Sequence, residues 1–483
     1  MGNEVNNNVE INNPVEAPVE NAGVKVVETD AGNKDGQNKC EKCGATDISL
    51  NTKTGLLRCN YCRHEFNAQK VEGLEEDVTK LEGDVIGSGA TNIVADTNEM
   101  ITLKCTSCGA EVIIDTSNAT QARCHWCRNT LSINEQIPNG AVPDMVLPFK
   151  ISKEEAKASI EEFVKKRSFF ANPIFKKEFT TENIMGVYLP YMLVDINGHS
   201  TLKGEGEIKI REYTVGSDEN KTTYYDADAY QVERDFDIFI NDLTVESSQD
   251  KLNHKSSDKT NNIINAIMPF DTDNCVKWDS NYIKGYTSEK RDVNIDSLRD
   301  YIQTQAKDVA RFQANSTLKQ YNRGVRWDYE NLSIKGQQWS AAYLPVWLYS
   351  YQQVKGDKKL LHYVAVNART KETMGSVPIH MPKLITYSAI VELLGFIAMF
   401  LVDWDYSFIF LSLGVIFYFI FYSKYRNQNA RHTHESETDT KIDNIKESDE
   451  FIQTKKRLRN SMIEGANNHS VSNGNFLVMF KNK

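Results

Sequence analysis

Residues 384–422 read LITYSAIVELLGFIAMFLV, then DWDYS from 403, then FIFLSLGVIFYFIFY from 408, two apolar arms around a turn that carries Asp403 and Asp405. Each arm is close to the shortest helix that crosses a bilayer. One unbroken helix would leave both aspartates in hydrocarbon at a cost of several kcal/mol, so the pattern predicts a two-helix transmembrane hairpin over 384–422 with a polar turn. Both ends of the chain then lie on one side. Lys383 precedes the first arm and Lys424, Arg426 and Arg431 follow the second, which by the positive-inside rule places both termini in the cytoplasm, beneath a plasma membrane crossed twice. A hairpin buried in a soluble core would need more apolar surface nearby than the chain supplies. Glu392 stands out near mid-span, where a carboxylate is costly unless neutral or paired. With the turn centred near Trp404, antiparallel arms set Glu392 level with Phe417 and Tyr418, and either the Tyr418 hydroxyl or a partner helix is expected to satisfy it.

Outside this segment the chain is polar. Its 483 residues, 40% hydrophobic and 25% charged, suit two or three folded domains carrying an anchor. A net charge of -10 argues against coating nucleic acid along the whole length. Residues 1–38 contain no aromatic side chain and read as a disordered acidic leader, without a signal peptide or a myristoylation motif. Residues 423–483 read as a cytoplasmic tail, with an amphipathic helix from about Lys441 to Glu464 and an apolar FLVMF motif at 476–480 that suits docking to a partner or the membrane face.

Cys40, Cys43, Cys59 and Cys62 form two C-x2-C pairs 15 residues apart, and Cys105, Cys108, Cys124 and Cys127 repeat the pattern 65 residues later. The flanks repeat as well: KCEKCGA matches KCTSCGA, and RCNYCRHEF matches RCHWCRNTL. Two residues between thiolates let a tight turn aim both sulfurs at one ion, and Gly44 and Gly109 supply permissive backbone beyond it. Four thiolates close the shell of a structural zinc, so the spacing predicts two zinc ribbons, 39–69 and 102–135, each folded by its own ion. Disulfides are the competing use of these cysteines, and a cytoplasmic location disfavours them. His64 and His125 are surplus to four sulfurs. Arg58, Arg63, Arg123 and Arg128, with Tyr61 and Trp126 among them, suggest a surface for single-stranded nucleic acid, although Glu41, Asp47, Glu65 and Glu111 dilute the charge and solvated arginines beside rings that cover the zinc explain the pattern better.

Residues 70–101 read as a linker. Its GSGATN run lacks the lysine and spacing of a phosphate-binding loop. Residues 136–383 then read as an α+β domain. Ser152 and Glu155 make a capping box ahead of a helix whose Ala156, Ile160, Phe163 and Val164 share a face. The alternation in GVYLPYMLVDINGHSTLKGEGEIKI predicts strands of an antiparallel sheet, and a second helix spans about Asp296–Tyr321. Val187, Tyr188, Leu189, Pro190 and Leu193 match Ala342, Tyr343, Leu344, Pro345 and Leu348, which points to an internal duplication of a helix packed on a short sheet. Cys275 stands alone without a catalytic motif around it, so no enzyme is predicted.

The paired ribbons, LPFKISKEEAK, GVYLPYMLVD, MPFDTDNCVKWDSNYIKGY, YLPVWLYSY and the late hairpin, in this order, resemble the Gram-positive double zinc-ribbon membrane proteins of the YdjG type, whose ribbons are similar to that of transcription factor IIB. The resemblance covers about residues 40–422. It implies eight cysteine ligands for two structural zinc ions and a non-enzymatic scaffold or adaptor role. The implied partners are the bilayer and envelope-stress proteins related to phage-shock protein A. A membrane-tethered nucleic-acid binder working through the ribbons is the alternative.

Overall fold

The computed structural model describes residues 24–92 with short gaps (among them 30–39), the strand segments within 100–131, and 143–460 except 217–221, 248–266, 402–406, 427–438, 453–458 and a few shorter breaks. Strand β1 (Val24–Val27) comes first. A three-stranded antiparallel sheet follows, β2 (Ile48–Asn51), β3 (Leu56–Cys59) and β4 (Glu65–Phe66). Beyond β5 (Gly83–Gly87), strand β6 (Met100–Lys104) pairs with β7 (Glu111–Asp115), and β8 (Ala122–Arg123) with β9 (Thr130–Leu131). β9 follows β4 by the same offset that separates the cysteine sets, so the backbone of the second unit echoes the first.

Among the described residues the main body is a 12-stranded sheet flanked by few helices. A short strand, β10 (Met145–Val146), leads into helix α1 (Lys153–Lys165), helix α2 (Pro173–Glu178) and the long strand β11 (Met185–Val215). β12 (Thr222–Glu246) returns antiparallel along β11. After β13 (Val276–Lys277), which pairs with β10, the same order recurs: a short strand β14 (Thr287–Ser288), helix α3 (Ile295–Ser316) and a long strand β15 (Val325–Lys355). β16 (Lys358–Asn367) and β17 (Thr373–Gly375) close that side.

β11 and β15 pair antiparallel, with Leu189 opposite Leu344, and these are matched residues of the sequence repeat. The matched pairs therefore flank a local two-fold axis. β14 runs parallel against Val187 and Tyr188, and β10 runs parallel against their counterparts Ala342 and Tyr343. Strand alternation sorts the core. Tyr188, Tyr343 and Trp347 pack with α1, while Met192, Val194, Trp339 and Ala341 pack with α3. Val187, Leu189, Tyr191, Leu193, Leu344 and Val346 face the other way, against Ile267, Met268 and Phe270. The capping box forms as the sequence predicts: Ser152 Oγ accepts from Glu155 N, and Ser152 N donates to Glu155 Oε2 at 3.0 Å.

Helices α4 (Met381–Leu401) and α5 (Leu413–Arg426) follow, and residues 407–412 before α5 form a 3-10 turn. Strand β18 (Asp439–Phe451) and the short β19 (Arg459–Asn460) then add to the outer edge of β12.

Several boundaries differ from the sequence expectation. The leader over 1–38 contributes β1, which pairs parallel with β5 from the expected linker, and β5 in turn joins β15. Val24–Val27, three valines and a lysine, is too short to signal a strand alone, and an existing sheet edge supplies its partner. Of the amphipathic helix expected from about Lys441 to Glu464, the residues up to Phe451 form β18 instead, because the edge of β12 supplies a partner, and most of the remainder lies outside the described residues. The FLVMF motif at 476–480 lies outside the described residues.

Candidate functional site

The four cysteines of the first unit converge because two knuckles hold them. Cys40 opens a turn in which Gly44 N donates to Cys40 O, and Gly44 takes φ +69°, a conformation that favours glycine. Cys59 ends β3, and Arg63 N donates back to Cys59 O. As a result Cys40 Sγ lies 3.5 Å from Cys62 Sγ and Cys43 Sγ 3.6 Å from Cys59 Sγ, with all four within 4.8 Å of one another. A tetrahedral ion with metal–sulfur bonds of about 2.3 Å sets its sulfurs about 3.8 Å apart, so the group fits a metal ion closely. Cys40 and Cys59 are buried and Cys43 is exposed, so the ion would sit near the surface with its shell filled by protein. Burial works against the Cys40 thiolate, but hydrogen bonds from the backbone of Cys43 and Lys42 and from the neighbouring thiols draw its pKa down to about 7.

Cys105, Cys108, Cys124 and Cys127 lie outside the described residues, as do Arg128 and the side chain of Arg123. Among the described residues there is one four-cysteine group. Arg58 reaches Glu65 at 3.9 Å, and His64 stacks near Phe66 with centroids 6.0 Å apart. Tyr61 is 81% exposed and does not cover the metal group, because the knuckle turns it outward.

The second feature is the pair of apolar helices. α4 is long and apolar enough to cross a membrane, with a mean hydropathy of 2.1 and only 17% of its apolar window buried. The other apolar stretch, Phe410–Tyr425, is shorter than that length. The two helices pack closely: a Cβ on Gly395 would strike Phe410 O, and one on Gly414 would strike Ser388 O. Gly414 N donates to Glu392 Oε2 at 2.8 Å. Of the two ways expected to satisfy Glu392, the Tyr418 hydroxyl is displaced by about one helical turn, because glycine contacts set the register, and Tyr418 stacks on Tyr422.

The foot of this pair is fastened to the sheet domain. Phe170 N donates to Tyr425 Oη at 2.9 Å, Arg167 Nε donates to Lys424 O at 3.0 Å, and Lys383 Nζ donates to Phe169 O at 2.8 Å. Phe170, 1% exposed, meets the rings of Phe169, Tyr387, Phe417, Phe421 and Tyr425. Above it Ile390, Leu393, Leu394, Phe400, Val415, Phe419 and Ile420 are exposed.

Sequence reasoning missed two acids, one buried and one half-buried. Asp144, 1% exposed, accepts from Gly89 N and Ala341 N, each at 2.7 Å, and from Thr29 Oγ1. Burial raises its pKa against those bonds. The GSGATN loop thus already spends a backbone N–H on an internal carboxylate, consistent with its failing the phosphate-loop pattern. Asp242, at φ +53°, has its pKa pushed up to about 7 by burial and by the neighbouring Asp195 carboxylate. Burial, followed by the carboxylates of Asp242 and Asp271, holds the Cys275 thiol well above its ordinary range, so it stays protonated and weakly nucleophilic.

No protein-family model matches the chain, and no solved structure matches it. The chain is 23% identical over 350 residues to the Bacillus subtilis (strain 168) protein named "Uncharacterized protein YdjG", an alignment that covers 72% of this chain and 92% of that protein. With the ordered motifs and the four-cysteine group, this likeness makes the chain similar to a YdjG-like Gram-positive protein.

Proposed function

We propose that the protein is a non-enzymatic scaffold on the cytoplasmic face of the plasma membrane, anchored by a two-helix hairpin and carrying two structural zinc ribbons. The observation that carries this reading is the apolar helix pair, exposed along its length yet locked at its foot. Exposed side chains of this size and number need a cover, and hydrocarbon is the cover whose thickness α4 matches. Arg167, Lys383 and Lys424 at the foot suit an anionic cytoplasmic leaflet. Glu392, partly buried and bonded to the Gly414 amide, is then an acceptor that locks the hairpin rather than an unpartnered carboxylate in lipid. In this reading the second cysteine set binds a second zinc as the first set does, and the assembled partners are envelope-stress proteins of the phage-shock type.

The test is affinity purification of the tagged protein from detergent-solubilised membranes, with and without nuclease, together with zinc analysis. Membrane-stress proteins that persist through nuclease, and two zinc ions per chain, are expected. Recovery dominated by nuclease-sensitive proteins would overturn the scaffold reading. It would favour a membrane-tethered nucleic-acid binder, for which the exposed Tyr61 beside Arg63 is the supporting observation. That binder would lose affinity steeply with salt and with alanine at Arg58, Arg63, Arg123 and Arg128.

A further inference from the structure

The outer edge of β12 is closed by the chain itself, in an unusual way. β18 pairs antiparallel from Tyr230 opposite Phe451 to Asn241 opposite Asp439. β12 takes most of its core from elsewhere: Phe236, Ile238 and Ile240 are fully buried in a cluster of β11, β15 and α3 residues, to which β18 adds Ile442. β18 buries little in return. Ile442 is its one partly covered apolar side chain, Ile445 and Phe451 are exposed, and its covered polar side chains are Thr440 and Asp449. A strand held by backbone hydrogen bonds with so little apolar burial lies at the low end of local stability and opens ahead of the sheet.

One feature of the edge is selective. The Arg234 side chain is fully buried on β12. Its Nη1 donates to Asp449 Oδ1 at 2.7 Å and Glu233 O at 2.8 Å, its Nε to Thr317 Oγ1 at 3.1 Å, and Glu447 lies 3.7 Å from Nη2. Among the described residues its carboxylate partners all come from β18. A buried guanidinium requires an anion, so whatever fills this edge must supply one. Glu447, Asp449 and Phe451 fall on one face at alternate positions, and Phe451 packs edge-on to Tyr230 with centroids 5.2 Å apart. The edge therefore reads a pattern of acid, any residue, acid, any residue, aromatic.

We propose that the β12 edge from Tyr230 to Asn241 is a strand-addition site for an extended acidic segment of a partner protein with that pattern, and that β18 occupies it in cis as a displaceable strap. Its use in the cell rests on the scaffold reading, for which it provides the docking surface. The binding itself is independent of that reading.

The experiment uses the full chain in detergent or nanodiscs and, as probe, a fluorescein-labelled peptide of residues 439–452. In the wild type, amides of 439–451 are expected to exchange hydrogen about 100-fold faster than those of 187–196. A Glu447→Gln/Asp449→Asn chain, with its strap loosened, is expected to bind the peptide at least about tenfold more tightly than wild type. Adding Arg234→Met, or replacing both peptide carboxylates by amides, should remove that gain. The proposal is overturned if β18 is as protected as β11, or if the loosened chain gains no affinity. It is also overturned if loosening the strap unprotects β11 and β15, which would make β18 a structural staple. A doubled mass of the loosened chain would make the occupant a second copy and overturn the partner assignment. None of these outcomes bears on co-purification by the wild-type chain, so failure here is distinguishable from failure of the scaffold reading.

Discussion

The half of the sheet domain led by α1 and the half led by α3 repeat one order of short strand, helix and long strand, yet opposite chemistry closes them. On the α1 side, Phe170, Tyr387, Phe417, Phe421 and Tyr425 pack ring against ring and tie the domain to the apolar helices. On the α3 side, an acidic strand is held by Arg234, Lys335 bonds Asp237 at 2.7 Å, and His199 lies between Asp235 and Asp237. The Asp237 hydrogen bond leads in raising the His199 pKa. Dispersion and apolar burial respond little to pH or to the ionic strength of a simple salt such as sodium chloride, whereas ion pairs respond to both. The same backbone plan thus gives one fixed end and one conditional end.

That contrast breaks first if the aromatic foot is dispensable. Phe170→Ala is expected to cost about 3–5 kcal/mol in denaturant titrations, with no relief or worsening between low and high salt. A loss under about 1 kcal/mol would mean that the foot is not packed as a core. Asp449→Asn should cost about 2 kcal/mol near neutral pH, since it removes a charged hydrogen bond to a buried cation. Burial opposes the Asp449 carboxylate, but Arg234 and its neighbours hold its pKa below the ordinary value. Its contribution is therefore full above the unfolded pKa near 4, and the gap between wild type and variant should close as pH falls below that.

A finer probe of the fixed end is Tyr425→Phe, which leaves the buried Phe170 amide without its acceptor. About 1–2 kcal/mol is expected, read as faster hydrogen exchange over 413–426 and at Phe170, again independent of salt. The smallest effect has the opposite sign. Asp242 carries a raised pKa of about 7, so its charge penalises folding above that value and not below the ordinary carboxylate range. Asp242→Asn should therefore raise stability by about 1 kcal/mol at pH 8 and leave it unchanged at pH 4, the asparagine also tolerating the left-handed backbone. Equal effects at both pH values would place the burden on backbone strain rather than charge.

Much of this was legible in the residues. C-x2-C spacing fixed which sulfurs of the first unit meet, because a knuckle is a local structure needing no distant partner. The capping box of Ser152 and Glu155 and the apolar face of α1 were equally local. The matched strands around Leu189 and Leu344 announced a repeat, though not that the two strands pair with each other. Asp144 and Arg234 were invisible as buried groups, and Asp242 as a half-buried one, since a charged residue reads as solvated until a neighbouring element covers it. Tyr61 was misread for the inverse reason: an aromatic between two ligands looks like a lid, and only the turn decides which way it points.

The sequence by itself determined the cysteine knuckles of the first unit, the apolar arms and the capped helix α1, features whose causes lie within a few residues along the chain. Tertiary structure alone decided that Val24–Val27 and Asp439–Phe451 are strands, that Glu392 meets Gly414 rather than Tyr418, and that one end of the sheet is closed by rings and the other by charge. Edge strands, helix register and buried ion pairs depend on partners distant in sequence, and short-range periodicity carries no record of them.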